Sequence, residues 1–246
     1  MGLGIERALL LLALALLAEI AGTVGGFGSS TFFVPVANFF FDFQSVLGIT
    51  AMFHLLSNLT KLGMFRGGID RKLLLTLGLP SVLFAVLGGL ATPWLPVDVL
   101  KRVLAVFLIV FSAALLWKEE WKLPANGWVA VLGGAISGGM AGMIGTGGAV
   151  RGLTLAAFNL PKEVFVATSA ATDMGIDLAR AGVYFRNGYI HGHDMVWLPL
   201  LGFAALAGTW IGKRILERVP QSLFRKLALG LVFAIGWLAL YGAVAH

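Results

Sequence analysis

Arg151 stands three residues beyond Gly148, and no other charged residue lies between Asn126 and Leu160. An arginine in so apolar a stretch is costly, and it marks either a ligand contact or a buried pair, here with Asp173 or Asp177. Its planar fork suits bidentate binding of sulfonate, sulfite or carboxylate. The glycines before it, in Gly142-Met-Ile-Gly145-Thr146-Gly147-Gly148, have a counterpart 120 positions earlier in Gly22-Thr-Val-Gly25-Gly26-Phe27-Gly28-Ser29-Ser30. Glycine clusters end helices. Backbone broken inside an apolar layer persists only where protein or a wet cavity receives its polar groups. The helix that restarts there carries unpaired N–H groups and about half a positive charge, which attracts anions. Gly25, Gly26, Gly28, Ser29, Ser30, Gly145, Thr146, Gly147, Gly148 and Arg151 are therefore expected to line a substrate site. Close helix packing through small residues is the alternative for either cluster alone. No strand–turn–helix unit surrounds the glycines, so they are not a dinucleotide fingerprint.

A second group of polar residues follows each cluster. His54, Asn58 and Lys61 are spaced to share one helix face. An offset of 119 pairs them with Asp173, Asp177 and Arg180. Polar residues on one face of a membrane helix look inward, toward a cavity or a partner. Asn58 and Ser169 join the expected substrate contacts. Glu19, Asp173 and Asp177 are the candidates for carrying protons, because low dielectric disfavours a bare carboxylate. Each also has a structural reading: an interhelical hydrogen bond for Asn58 and Asp177, and snorkelling for Lys61 and Arg180. Thr168 and Thr172 flank Asp173 and can donate to an anion or to their own helix carbonyls.

The elements that must position these residues are membrane helices. The chain has 246 residues, of which 59% are hydrophobic and 12% charged, with a mean hydropathy of +0.91. Several segments run about twenty residues with few charges, long enough to cross a bilayer. The segments are 6–24, a short 29–41, 44–65, 71–91 and 99–117. A polar link at 118–125 follows, then 126–143, a short 149–160, 162–185, 194–211 and 222–244. Arg7 and the apolar run after it resemble a signal peptide, but Glu19 follows at once and the segment leads into a glycine cluster, so it is read as a helix. Offset 119 also matches Thr50 with Ser169, Gly63 with Gly182, Pro80 with Pro199 and Gly89 with Gly208. Residues 1–117 and 126–246 thus read as two repeats.

Lys and Arg set orientation. The turn with Arg66, Arg71 and Lys72 and the loop with Lys213, Arg214, Arg218, Arg225 and Lys226 are rich in both; their repeat partners are poor. Keeping both rich loops cytoplasmic inverts one half against the other and requires five crossings in each. The expected fold is an all-α polytopic membrane protein of two inverted repeats, with short broken helices meeting near the midplane. Re-entrant short pieces are the competing arrangement.

Other chemistry is disfavoured. The absence of cysteine excludes disulfides and thiolate metal sites. His191-Gly-His193-Asp194 looks like a metal motif, but one short cluster reads better as a solvated turn. The net charge of +6 belongs to membrane topology, and nucleic acid is not an expected partner. A hydrolase would need His54 to activate Ser29 or Ser30, and the repeat replaces His54 by Asp173. No enzyme activity, cofactor or metal is expected.

The duplicated layout, Gly25-Gly26-Phe27-Gly28-Ser29 with Pro35, Gly145-Thr146-Gly147-Gly148, the Thr168-Ser169 segment, and the polar faces through Asn58–Lys61 and Asp177–Arg180 carry a resemblance. The chain resembles the TauE/SafE sulfite-exporter family, also called the toluene-sulfonate uptake permeases, over nearly its whole length. Ser29 and Ala149 stand where that family often has a third glycine, and Arg151 appears where the second copy lacks a proline matching Pro35. The resemblance implies a secondary transporter of sulfite, organosulfonates or related small carboxylates in the inner (cytoplasmic) membrane, acting as a monomer or homodimer. Proton coupling and alternating access complete the expectation; an anion channel or a non-transporting scaffold is the alternative.

Overall fold

The computed structural model describes residues 5–26, 28–117, 124–218, 220, 230, 233–234, 236–237 and 240–241. Residues 118–123 of the expected link at 118–125 and most of the expected segment 222–244 lie outside the described residues. Nine helices are described: α1 (Ile5–Gly25), α2 (Ser30–Ala37), α3 (Phe43–Met64), α4 (Arg71–Trp94), α5 (Val97–Trp117), α6 (Gly127–Ile144), α7 (Gly148–Ala156), α8 (Lys162–Arg186) and α9 (Met195–Arg218). There is no strand among the described residues. α4 is one rod with a π-turn at Leu74–Gly78, and α9 opens with a 3-10 turn at Met195–Trp197. Side-chain caps start three helices. Asp42 accepts from the N–H groups of Gln44 and Ser45, Asp70 from Leu73, and Asn126 from Val129.

The two short expected segments hold helices of 8 and 9 residues, about 12–14 Å long, which is under half the hydrocarbon thickness. Four helices, α1, α4, α6 and α9, are long and apolar enough to cross a membrane. α3 and α8 are of similar length, at 22 and 25 residues, but their polar faces lower their hydropathy.

Packing explains that division. α3 and α8 pack on each other, with α9 against α3 and α4 against α8; the outer pairs are α1–α9 and α4–α6. Under the sequence repeat, α1 corresponds to α6 and α4 to α9, so each pair is the other with its halves exchanged. The α4–α6 seam is backbone on backbone. A side chain at Gly134, Gly138 or Gly142 would collide with the carbonyl of Leu77, Ser81 or Ala85. An apolar core fills the centre, where Phe33 and Phe53 meet at 4.8 Å between ring centroids.

Candidate functional site

The two glycine breaks meet inside the bundle. Thr146 Oγ1 lies 3.3 Å from both Ser30 Oγ and Thr31 Oγ1. α6 ends at Gly145, whose φ of +79° is a left-handed cap that only glycine adopts freely. The last carbonyls of α6 are received by α8. Arg180 Nη1 donates to Gly145 O at 2.8 Å and Ala141 O at 3.3 Å, and Tyr184 Oη donates to Gly142 O at 2.7 Å. This answers the demand that buried backbone be paired. Ser137 on α6 donates to Gly147 O at 3.0 Å, closing the loop from below.

Three buried ion pairs surround the breaks. Glu19 on α1 takes Lys61 Nζ at 2.7 Å, and Ser57, Thr209 and Thr23 donate to the same oxygen. Asp177 takes Arg180 Nη2 at 2.7 Å and Asn58 Nδ2 at 2.7 Å. Arg151 pairs with Asp173 and donates Nε–H to Ser169 Oγ at 3.0 Å. Its Nη2 is buried with no hydrogen-bond partner among the described residues and lies beside Gly28, 3.1 Å from where a Cβ would stand. All six charged groups are at most 8% exposed.

Two arrangements weighed in the sequence come together here. Arg151 does pair with Asp173. Ser29 Oγ also lies 3.0 Å from His54 Nε2, and His54 Nδ1 lies 3.8 Å from Asp177 Oδ2. The order of groups is that of a hydrolytic triad, but Asp177 is already held by Arg180 and Asn58, and its separation from His54 is too long for a hydrogen bond. The row therefore links the first break to the second half instead of activating a nucleophile.

A narrow crevice of about 10 Å³, room for about one water, opens against Asp173, Ser169, Asn58, Lys61, Gly26 and Gly28. Gly25, Ser29, Ser30, Gly145, Thr146, Gly147, Gly148 and Arg151 do not line it. This crevice lies against the first break; at the second, Arg180 and Tyr184 are bonded to the carbonyls of Ala141, Gly142 and Gly145. Thr168 serves elsewhere, accepting from the N–H of Asp70 at 2.9 Å. Thr172 Oγ1 is buried without a partner, beside Gly78 at the π-turn of α4. Ser57, Thr209 and Tyr184 escaped the sequence reading. Tyr184 carries a faint signal, lying four residues beyond Arg180 on the same helix face.

No curated protein and no solved structure matches the chain. The family model for the sulfite exporter TauE/SafE matches residues 11–238. Nearly the whole chain is covered, both glycine breaks and all three ion pairs included. With an all-helical build and apolar helices of crossing length, the chain belongs to the TauE/SafE sulfite exporter family of membrane transporters.

Proposed function

We propose that this protein is a proton-coupled secondary transporter of a small sulfur-containing or organic anion, such as sulfite, an organosulfonate or a carboxylate, in the inner membrane. The observation that carries the reading is Arg151. It is 1% exposed, is held by Asp173 and Ser169, and keeps its Nη2 group beside Gly28 without a hydrogen-bond partner among the described residues. Asp173 lies between the guanidinium and the open space. The buried charges around the two breaks balance, with Glu19, Asp173 and Asp177 against Lys61, Arg151 and Arg180. An anion entering this core adds an uncompensated negative charge in low dielectric, which is costly. A proton on Asp173 cancels it and releases the Arg151 fork to the anion, so substrate and proton enter together. Ser169 and Asn58 supply hydroxyl and amide donors at the same crevice. The row Ser29–His54–Asp177 supplies a polar connection to the second carboxylate. Alternating access with inverted halves is supported by the Lys/Arg distribution and by the exchanged α1–α9 and α4–α6 pairs.

Sulfite uptake into proteoliposomes, with and without an imposed pH gradient, tests the proposal. The gradient is expected to drive accumulation. Arg151→Ala abolishes uptake in folded protein, and Asp173→Asn leaves downhill flux that no longer responds to the gradient. Flux indifferent to the gradient in the unaltered protein identifies a channel and overturns the coupling.

A further inference from the structure

We propose that His191, His193 and Asp194, in the turn joining α8 to α9, form a binding site for a divalent transition-metal ion that favours imidazole, with zinc as the representative. Each residue offers one ligand atom, and the three atoms lie within 4.8 Å of one another. His191 Nδ1 is 3.2 Å and His193 Nε2 is 3.3 Å from the Asp194 carboxylate. A tetrahedral ion with bonds of about 2.0–2.1 Å has ligand-to-ligand edges of about 3.4 Å; both imidazole–carboxylate separations are close to that edge, each to a different oxygen of Asp194. The Asp194 side chain is 4% exposed and faces two imidazole nitrogens at once. A cation between them satisfies all three groups.

The turn is braced for this. Asp194 N–H donates to His191 O at 3.0 Å, Met195 N–H to Gly192 O at 3.3 Å, and Trp197 N–H to Asp194 O at 3.1 Å. The connector is seated on the start of α3, where a side chain at Gly48 would collide with the Tyr189 carbonyl. Ser45 of α3 places its hydroxyl 3.2 Å from the same His191 Nδ1, a hydrogen bond that the ion displaces when that nitrogen becomes a ligand. The rings of His191 and His193 stack at 5.1 Å and 20°, holding both against the carboxylate. Two imidazoles and one carboxylate suit zinc and its neighbours; calcium and magnesium prefer oxygen ligands alone. Three protein ligands leave one position for water.

The site is independent of the transport reading, and metal content tests it directly. Tag-free full-length protein in detergent, carrying His246→Ala to remove the terminal imidazole, is equilibrated with Zn²⁺ and assayed by mass spectrometry and by the visible absorption of substituted Co²⁺. The expected result is about one ion per chain with a tetrahedral cobalt spectrum, unaffected by excess Mg²⁺. His193→Ala, which removes a side chain that is 77% exposed, weakens binding at least about tenfold. The double variant His191→Gln/His193→Gln abolishes it. No retained zinc, or equal affinity in the unaltered protein and His193→Ala, overturns the proposal.

Discussion

Lys61 and Arg180 stand 119 positions apart, at matched places in the two repeats expected from the sequence, and they do different work. Arg180 reaches the end of α6 and receives the carbonyls of Ala141 and Gly145 while holding Asp177. Lys61 meets Glu19, a residue on α1 whose repeat partner on α6 is Gly139. The first half thus neutralises its cation with a side chain, and the second uses main-chain oxygens as well. A rigid fork with five donors can serve a carboxylate and a helix end together; an ammonium on a flexible stem serves compact clusters such as Glu19, Ser57 and itself. A duplicated sequence position fixes where a charge sits, and its neighbours decide what that charge holds.

The largest test of this difference is a pair of double variants. Lys61→Ala or Arg180→Ala alone leaves a buried carboxylate uncompensated and is expected to cost about 3–5 kcal/mol, read as a fall in the thermal midpoint of purified protein. Adding Glu19→Ala to Lys61→Ala recovers most of that loss, because both ions are gone. Adding Asp177→Ala to Arg180→Ala recovers only part, because the Gly145 carbonyl loses its side-chain donor while that of Ala141 keeps Tyr184. Equal recovery in both would erase the distinction.

The next effect concerns the glycines. Gly145→Ala puts a Cβ on a left-handed residue, 2.9 Å from Leu47 Cδ2, and is expected to lose about 1–2 kcal/mol before that contact is counted. Gly25, its match in the first copy, ends α1 in helical conformation, so Gly25→Ala should lose less. Chemical denaturation of the two variants side by side makes the comparison. The smallest effect is Tyr184→Phe, which gives the second half the residue that stands at position 65 in the first. It removes the hydroxyl from Gly142 O and should cost about 1–2 kcal/mol without changing substrate affinity. A change in affinity would mean that the cap also shapes the crevice.

Much of this fold is legible in the sequence because charges are scarce and glycines are clustered. Each described helix begins and ends within a few residues of an apolar segment. The exception is α9, which runs to Arg218 rather than 211. Lys213, Arg214 and Arg218 read as a loop, yet Lys213 reaches back to the Met64 carbonyl at 2.8 Å and Arg214 lies over the Trp210 ring. Long stems let charged heads extend a helix past its apolar stretch. The polar faces through Asn58 and Asp177 were visible from spacing alone, and those two side chains bond each other directly. Carbonyl partners were not visible, since a helix end has no side chain to announce it. Ser57 and Thr209 were hidden for a related reason, because a lone hydroxyl in a membrane helix more often bonds its own backbone. The π-turn of α4 also leaves no mark in a run of leucines.

The glycine-on-carbonyl seam between α4 and α6 has a mechanical consequence. Gly134, Gly138 and Gly142 recur every four residues, as do the carbonyls of Leu77, Ser81 and Ala85 that they face. Such a surface resembles a rack with evenly cut teeth. It offers no rotamers to absorb a small shear, so intermediate offsets lose contact all along the seam together. The next position at which teeth and gaps coincide is one full turn away, about 6 Å along the axis. The pair therefore behaves as a single stiff member under small loads and has a built-in step under large ones.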